Sequence, residues 1–434
     1  MANGSTIMGV SHLLGFIILS FLLGAMIARS RKPTIPIWSI MAFTSFLTIA
    51  FGLVRLDEVG SIIDWNVVLF LVGMFSIVGL AESSGLFNLM GFWFINHFES
   101  RYHLILASSI FFGLLAAISM NDTVAFMGPP LAYTVSRALD IDPRVMFLLL
   151  AFSLTIGSVT TPIGNPQNVL IVEESGITAP FYVFFRMLFV PTLINLVITP
   201  MILVKLFGVE EKRKSLILIP GESITNKRDA ALGALGLVST VLILIANDLM
   251  QLLGLPYVEK RGLIPFFIAA ALYIVSSNPR ELLGKVDWGT IIFFISMFIT
   301  MQGVWRSGVF TPLLSMMMPH RMEGPQALAS ITFSSLLISQ VISNVPFASF
   351  FTIYMKSLGY TRHDELYWIA LAFSSTIAGN LTPLGAASNI IILEYLESRM
   401  NTTIILKDFL KAGLIVTAVN TAIYLIWLHF FIMI

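Results

Sequence analysis

The chain has 434 residues, of which 57% are hydrophobic and 11% charged, and its formal net charge is +1. Soluble domains carry about a quarter of charged residues, so this composition excludes an ordinary soluble domain. The chain has no basic stripe, which argues against nucleic acid as a partner, and no cysteine, which excludes disulfides and thiolate metal sites. Recurrent uncharged runs of roughly 20 residues predict an all-α polytopic membrane protein.

In chain order, the apolar runs predict eight spans, near residues 9–28, 36–54, 66–82, 180–206, 229–253, 262–276, 288–305 and 407–432. Two further crossings pass through segments interrupted by Pro, Gly and Asn, at 145–175 and 366–396. Each of them follows an apolar segment with a polar centre, at 103–138 and 325–358. Both of these segments are long enough to enter the membrane and return, so we expect two re-entrant helical hairpins.

Loop charges indicate the orientation of this ten-crossing layout. No Lys or Arg precedes the first span, and Arg29, Arg31 and Lys32 follow its apolar core, which predicts a retained span with its N-terminus outside. With both termini outside, the cytoplasmic loops hold more than twice as many Lys and Arg as the outer loops. The layout therefore predicts a multi-pass protein of the cell membrane, with residues 207–228 as a cytoplasmic linker.

The two halves, 1–206 and 229–434, carry the same pattern. The segment that begins "DWNVV" at Asp64 resembles the one that begins "DWGTI" at Asp287. The segment from Ala151 matches that from Ala372 at 11 of 23 positions, in nearly the same register. Because each half has five crossings, an odd number, the second enters from the opposite side. We therefore expect an inverted repeat.

The interrupted segments at 145–175 and 366–396 predict broken helices. Non-helical backbone at membrane depth is tolerated only where protein buries it or where it lines a wet cavity. Pro removes an amide donor and Gly permits unusual backbone angles, so each helix should unwind and resume near Asn168 or Asn389. The new N-terminus would suit an anion and the freed carbonyls a small cation. A proline kink with local backbone repair is the alternative.

Among the residues at the hairpin tips, Asp122 is the strongest candidate for a functional residue. An ionisable group at membrane depth predicts a functional site, here for a proton or a cation. The alternative is a helix cap near the interface. The counterpart of Asp122 in the second half is Val345, so only the first tip carries a charge. Glu82 is expected at the cytoplasmic interface.

Taken together, the tips and the unwound stretches predict a substrate- and ion-binding site. Its residues are Ser119, Asn121, Asp122, Thr123, Thr160, Thr161, Pro162, Gly164, Asn165, Gln167, Asn168, Ser343, Asn344, Gly379, Asn380, Thr382, Pro383, Gly385, Ser388 and Asn389. No catalytic residue and no cofactor is expected. The coupling ion would be Na⁺ or H⁺, and a Na⁺ could lie near Asn121 and Asp122.

The motifs "NDT…MGPP", "AFSLTIGSVTTPIGNPQN", "SNVPF" and "LAFSSTIAGNLTPLGAASN" resemble the ion transporter superfamily, within it the arsenite-permease and citrate-transporter-like branch. The resemblance implies a homodimer and an elevator cycle driven by Na⁺ or H⁺. Dicarboxylate members carry Ser-Asn-Thr at both tips, whereas here the tips read Asn121-Asp122-Thr123 and Ser343-Asn344-Val345. The acidic first tip agrees better with arsenite-permease-like members, for which a proton is the expected coupling ion.

The sequence predicts secondary transport of a small anion or oxyacid, arsenite- or antimonite-like or another inorganic or carboxylate anion. A Na⁺/H⁺ antiporter and an anion channel are the alternatives. An intramembrane enzyme is disfavoured because the chain lacks HExxH and GxGD motifs. No nucleotide-binding P-loop is present, so ATP-driven arsenite-type export would need a separate ATPase partner.

Overall fold

The computed structural model describes residues 2–31, 35–212, 226–383, 385–400 and 404–433, and within these ranges it contains helices and no strand. The first half comprises α1 (Ala2–Arg31), α2 (Ile37–Ala50), α3 (Val59–Ile62), α4 (Trp65–Ser83), α5 (Leu86–His97), α6 (Arg101–Ser119), α7 (Asn121–Leu139), α8 (Pro143–Ser158), α9 (Pro166–Ser175) and α10 (Pro180–Leu206). The second half comprises α11 (Lys227–Leu252), α12 (Leu263–Val275), α13 (Pro279–Gly284), α14 (Trp288–Ser307), α15 (Thr311–Met317), α16 (Gly324–Ile342), α17 (Asn344–Ser357), α18 (Glu365–Ile377), α19 (Ala387–Met400) and α20 (Leu406–Met433).

The long helices lie where the sequence predicts spans. The largest differences are at the first helix, which begins seven residues earlier than predicted, and at the second, which ends four residues earlier. Both predicted hairpins are pairs of consecutive helices, α6 with α7 and α16 with α17, that pack against each other. The short helices α3, α5, α13 and α15 were not predicted. Much of the predicted linker, 213–225, lies outside the described residues.

Six of the described helices are long and apolar enough to cross a membrane, namely α4, α6, α10, α11, α14 and α20. Five of them match predicted crossings, and the sixth, α6, is the first arm of a predicted hairpin. The apolar helices α2, α8 and α12 are shorter. These helices make the chain a multi-pass membrane protein, while the orientation of its termini stays a prediction.

The helices pack in two groups. The hairpins, the broken pairs α8–α9 and α18–α19, and helices α10 and α20 contact one another extensively. Helices α1, α2, α4, α11, α12 and α14 form a second group, which meets the first mainly through α4, α11 and α14. Every residue of α8 from Val145 to Ser158 is buried, so the first broken helix runs through the centre of its group.

Helices α10 and α20 meet along a buried polar seam. The hydroxyls of Thr192 and Tyr424 lie 2.7 Å apart, and Asn195 Nδ2 donates to the carbonyl of Asn420 over 3.4 Å. In lipid, where apolar helices gain little by leaving their solvent, such interhelical hydrogen bonds hold helices together. The seam therefore joins the last helix of the first half to the last helix of the second.

Candidate functional site

Both hairpins turn on a single residue with left-handed backbone. Met120 has φ 68° and Ser343, its counterpart in the second half, has φ 71°. Non-glycine residues adopt such angles at an energetic cost and are found where the surrounding structure requires them. Helices α7 and α17 begin at the next residues, Asn121 and Asn344, and no side chain caps either N-terminus. Both tips therefore present uncapped helix N-termini, which carry a partial positive charge.

The first broken helix is unwound between Ser158 and Pro166. Helix α9 begins two residues earlier than predicted because Asn165, rather than Asn168, is its N-cap, and Asn165 Oδ1 accepts from the Asn168 amide over 2.8 Å. Pro166 follows at the first helical position, where its missing N–H is not needed. Asn168 instead donates its side-chain amide to the carbonyls of Ser158 (3.1 Å) and Thr161 (2.9 Å), which clamps the unwound stretch.

The second broken helix repeats this clamp. Asn389 donates its side-chain amide to the carbonyls of Gly379 (2.7 Å) and Thr382 (3.2 Å), which are the counterparts of Ser158 and Thr161 in the first clamp. Helix α19 begins at Ala387, again two residues before the predicted Asn. Leu384 lies outside the described residues. The two interruptions are thus built alike, which a chance proline kink in either helix would not produce.

Glycine allows the backbone segments at the interruption to touch. A Cβ on Gly164 would lie 2.2 Å from the Ser158 carbonyl oxygen, and one on Gly385 would lie 2.9 Å from that of Gly379. The carbonyl of Gly164 accepts from the Asn121 amide over 2.9 Å. This hydrogen bond ties the first hairpin tip to the first unwound stretch.

The two tips, the starts of α9 and α19, and residues of α2 and α14 surround one cavity of about 370 Å³. Five of the predicted site residues line it: Asn121, Asp122, Gln167, Ser343 and Asn344. These five residues come from opposite halves of the chain. Gln167 also donates to Thr376 Oγ1 over 3.3 Å, which joins the two halves beside the cavity.

The other predicted residues do not line this cavity. Thr160 and Thr161 border a separate, apolar cavity between α10 and α11, and Thr161 donates its hydroxyl to the Ala117 carbonyl. Thr123 borders a different cavity, described below. The remaining twelve line none of these three cavities: Ser119, Pro162, Gly164, Asn165, Asn168, Gly379, Asn380, Thr382, Pro383, Gly385, Ser388 and Asn389. Thr382, for example, donates its hydroxyl to Gln340 Oε1 over 2.9 Å.

Several buried polar atoms near the tips have no hydrogen-bond partner among the residues that the structure describes. Asn121 Oδ1 and Asn344 Oδ1 are the clearest, because both side chains line the cavity and both residues are only 5% exposed. Asn380, Ser388 and Asn389 also have unpaired side-chain atoms. A buried amide oxygen without a donor is costly. These oxygens therefore require a cation, water or a ligand that donates hydrogen bonds.

The charge of the cavity comes from two carboxylates, of which Asp287 was not predicted as a site residue. Asp287 N-caps α14 and accepts from the amide (3.0 Å) and the hydroxyl (2.6 Å) of Thr290. It lines the cavity together with Asp122, and within the described residues no Lys, Arg or His does so. The sequence did contain a signal for Asp287, namely the repeated "DW" with which the two matching segments at Asp64 and Asp287 begin. Glu82 was expected only at an interface, but it lines a cavity that also touches Asp122.

The cavity can hold an anion and a cation together. Six helix N-termini reach it: those of α7 and α17 at the tips, those of α9 and α19 at the interruptions, and those of α2 and α14. Their amides and dipoles favour a negatively charged or hydrogen-bond-accepting ligand. The carboxylates of Asp122 and Asp287 favour a proton or a metal cation. No cluster of three or more metal-ligating His, Cys, Asp or Glu is found among the described residues.

Comparison with known proteins places this arrangement in a family. Residues 18–368 match the family model described as citrate transporter. An uncharacterized transporter of Mycobacterium tuberculosis is 28% identical over 394 residues, 86% of this chain and 87% of the relative. The silicon efflux transporter LSI3 of Oryza sativa subsp. japonica is 23% identical over 411 residues, 80% of this chain and 82% of the relative.

A solved structure shares the fold. The Alcanivorax borkumensis YdaH transporter superposes with a TM-score of 0.60 at 14% identity, and the match covers 97% of this chain and 98% of that one. The resemblance noted in the sequence is confirmed, and the expectation that the chain is not an enzyme agrees with these matches. The chain belongs to the citrate transporter family, within the ion transporter superfamily.

Proposed function

We propose that the protein is a secondary active transporter that moves a small anion or oxyacid together with, or in exchange for, H⁺ or Na⁺. One observation carries the proposal: six helix N-termini and two carboxylates meet at a single cavity that no cationic side chain of the described residues lines. An anionic substrate held by helix N-termini beside two carboxylates is repelled unless a cation neutralises them. The cavity thus supports coupled binding of an anion or oxyacid with a cation.

The chemistry of the lining supports oxyacids in particular. The unpaired oxygens of Asn121 and Asn344 accept hydrogen bonds, and an undissociated oxyacid such as arsenous or silicic acid supplies hydroxyl donors. An ionised carboxylate group supplies no such donor and would need a cation at the same place. The similarity to a silicon efflux transporter agrees with an oxyacid substrate. The family description, citrate transporter, agrees with a carboxylate substrate.

The proposed cycle is an elevator in a homodimer. The hairpins and broken helices would form the moving domain and the second helix group the scaffold. The matched tips, Asn clamps and glycines of the two halves support an inverted repeat with re-entrant hairpins, whose two halves exchange their conformations when the site changes sides. The protein would act in the cell membrane with both termini outside, and arsenite-type export could add an ATPase partner.

A ligand screen tests the proposal. Purified protein in detergent is warmed with silicate, arsenite, antimonite, citrate, succinate, phosphate or sulfate, each with and without Na⁺ and at two pH values. A ligand that binds the folded state raises the melting temperature by an amount that grows with its concentration. We expect one oxyacid or anion to stabilise the protein, and stabilisation to depend on Na⁺ or pH. Stabilisation by cations alone would instead support a Na⁺/H⁺ antiporter, which the paired carboxylates also suit.

A further inference from the structure

Two cavities meet at the first hairpin tip. The first, of about 370 Å³, touches both tips. The second, of about 340 Å³, touches only the first, through Asp122, Thr123 and Phe126. Asp122, Phe126 and Asp287 line both cavities, so both carboxylates can be reached from either one.

The second cavity lacks the groups that would hold the proposed substrate. Neither Gln167 nor the second tip borders it, and its walls come from α4, the α13–α14 connection and α7. It extends past Gly79 to Glu82 and Lys285, and both of these residues are exposed. The charged groups that face it are thus Asp122, Asp287, Glu82 and Lys285. In the predicted topology its mouth is cytoplasmic.

The second cavity, of about 340 Å³, has room for several water molecules. Asn121, directly before Asp122 in the chain, lines the first cavity. It presents there a buried side-chain oxygen without a partner among the described residues. A carbonyl oxygen beside carboxylates is the ligand type that small hard cations prefer. An ion arriving through the second cavity thus meets acceptor groups that the protein leaves unsatisfied.

We propose that the second cavity is the cytoplasmic route by which the coupling cation, a proton or Na⁺, reaches Asp122, and that Glu82 attracts the cation at the mouth. This inference rests on the proposed function, because it assigns the entry path of the ion that the function requires. Substrate and ion then approach the same tip by different routes. Glu82 acts on the local cation concentration and does not contact the substrate.

Thiol chemistry tests the route without any substrate. The chain has no cysteine, so Thr123→Cys places a single thiol deep in the second cavity and Gly284→Cys places one at its rim. Methanethiosulfonate reagents of positive and negative charge are applied from the cytoplasmic side. We expect the cationic reagent to modify Cys at 123 roughly tenfold faster than the anionic one, relative to the rim position. Adding Glu82→Gln should lower this ratio about threefold.

Glu281→Gln is the matched control, because Glu281 is exposed, lies in α13 three residues before Gly284 and borders neither cavity. It should leave the ratio unchanged. Equal rates for the two reagents at position 123, or an equal effect of both Gln variants, would overturn the proposed route. Modification at 123 should also stop gradient-driven transport. If Asp122→Asn abolishes coupling while modification at 123 leaves coupling intact, the proposed function stands and this route is wrong.

Discussion

Gly164→Ala tests whether the contact between the first hairpin tip and the unwound stretch supports transport. The added Cβ would lie 2.2 Å from the Ser158 carbonyl oxygen, whereas real Cβ atoms essentially never come closer than 3.0 Å. The neighbouring atoms are rigid backbone, so the stretch itself must move to make room. That movement displaces the Gly164 carbonyl, which accepts the 2.9 Å hydrogen bond from Asn121.

Two costs give the expected magnitude. Forcing a methyl group into packed backbone costs about 1–3 kcal/mol, and loss of the hydrogen bond costs about 1 kcal/mol. If the substitution destabilises the substrate-binding conformation by about 2 kcal/mol, the affinity for the substrate drops roughly 30-fold, since about 1.4 kcal/mol corresponds to a factor of ten. The affinity is measured as the ligand concentration that gives half-maximal thermal stabilisation. Uptake into reconstituted vesicles is measured alongside.

Two other glycines serve as controls. Gly385→Ala meets a milder approach of 2.9 Å and should have a smaller effect, and Gly24→Ala, with no atom within 4 Å, should behave like the wild type. Wild-type affinity and uptake in the Gly164→Ala protein would refute the idea that this contact organises the site. A general loss of folding would show as a lower melting temperature without ligand, which separates it from a binding defect.

Three further predictions use single substitutions. An impermeant thiol reagent applied to intact cells should label Ser61→Cys but not Ser277→Cys, both exposed positions, and the reverse pattern would contradict the predicted orientation. Pro162→Ala should lower transport while leaving the melting temperature close to that of the wild type, and undiminished transport would mean that the interruption is only a structural kink. Tyr424→Phe leaves the buried hydroxyl of Thr192 without its 2.7 Å partner and should destabilise the protein by about 1 kcal/mol; an unchanged melting temperature would contradict a structural role for the seam.

Much of the fold could be predicted from the sequence because membrane helices leave strong signals. Uncharged runs mark the spans, and polar or helix-breaking residues inside an apolar run mark the tips and interruptions. The duplicated segments then pair the residues of the first hairpin tip with those of the second in the sequence. Short helices such as α5 were not predicted, because a stretch of about a dozen residues lacks a distinctive sequence pattern. The start of α9 was misplaced because Asn165 and Asn168 are equally good caps in sequence, and only the following Pro166 separates them.

The site was harder to predict than the fold because side-chain direction in unwound backbone depends on tertiary contacts. Thr161 turns away from the cavity to donate to the Ala117 carbonyl, and no local pattern indicates this. The sequence marked Asp287 only as the start of a repeated segment, yet it caps α14, and the packing of that helix brings it to the cavity that Asp122 also lines. Glu82 likewise ends its helix near the rim but faces the second cavity.

Asp122→Asn offers the most direct test of ion coupling at the first tip. The amide keeps the shape and hydrogen bonding of the carboxyl group but cannot release a proton. We measure uptake of the ligand identified by the thermal screen into vesicles, driven by an imposed pH or Na⁺ gradient, and substrate exchange without a gradient. If Asp122 carries a proton, uptake driven by the pH gradient should collapse while exchange persists. If it binds Na⁺, the Asn variant should need more Na⁺ for half-maximal uptake. Gradient-driven uptake equal to that of the wild type would contradict a role for Asp122 in coupling.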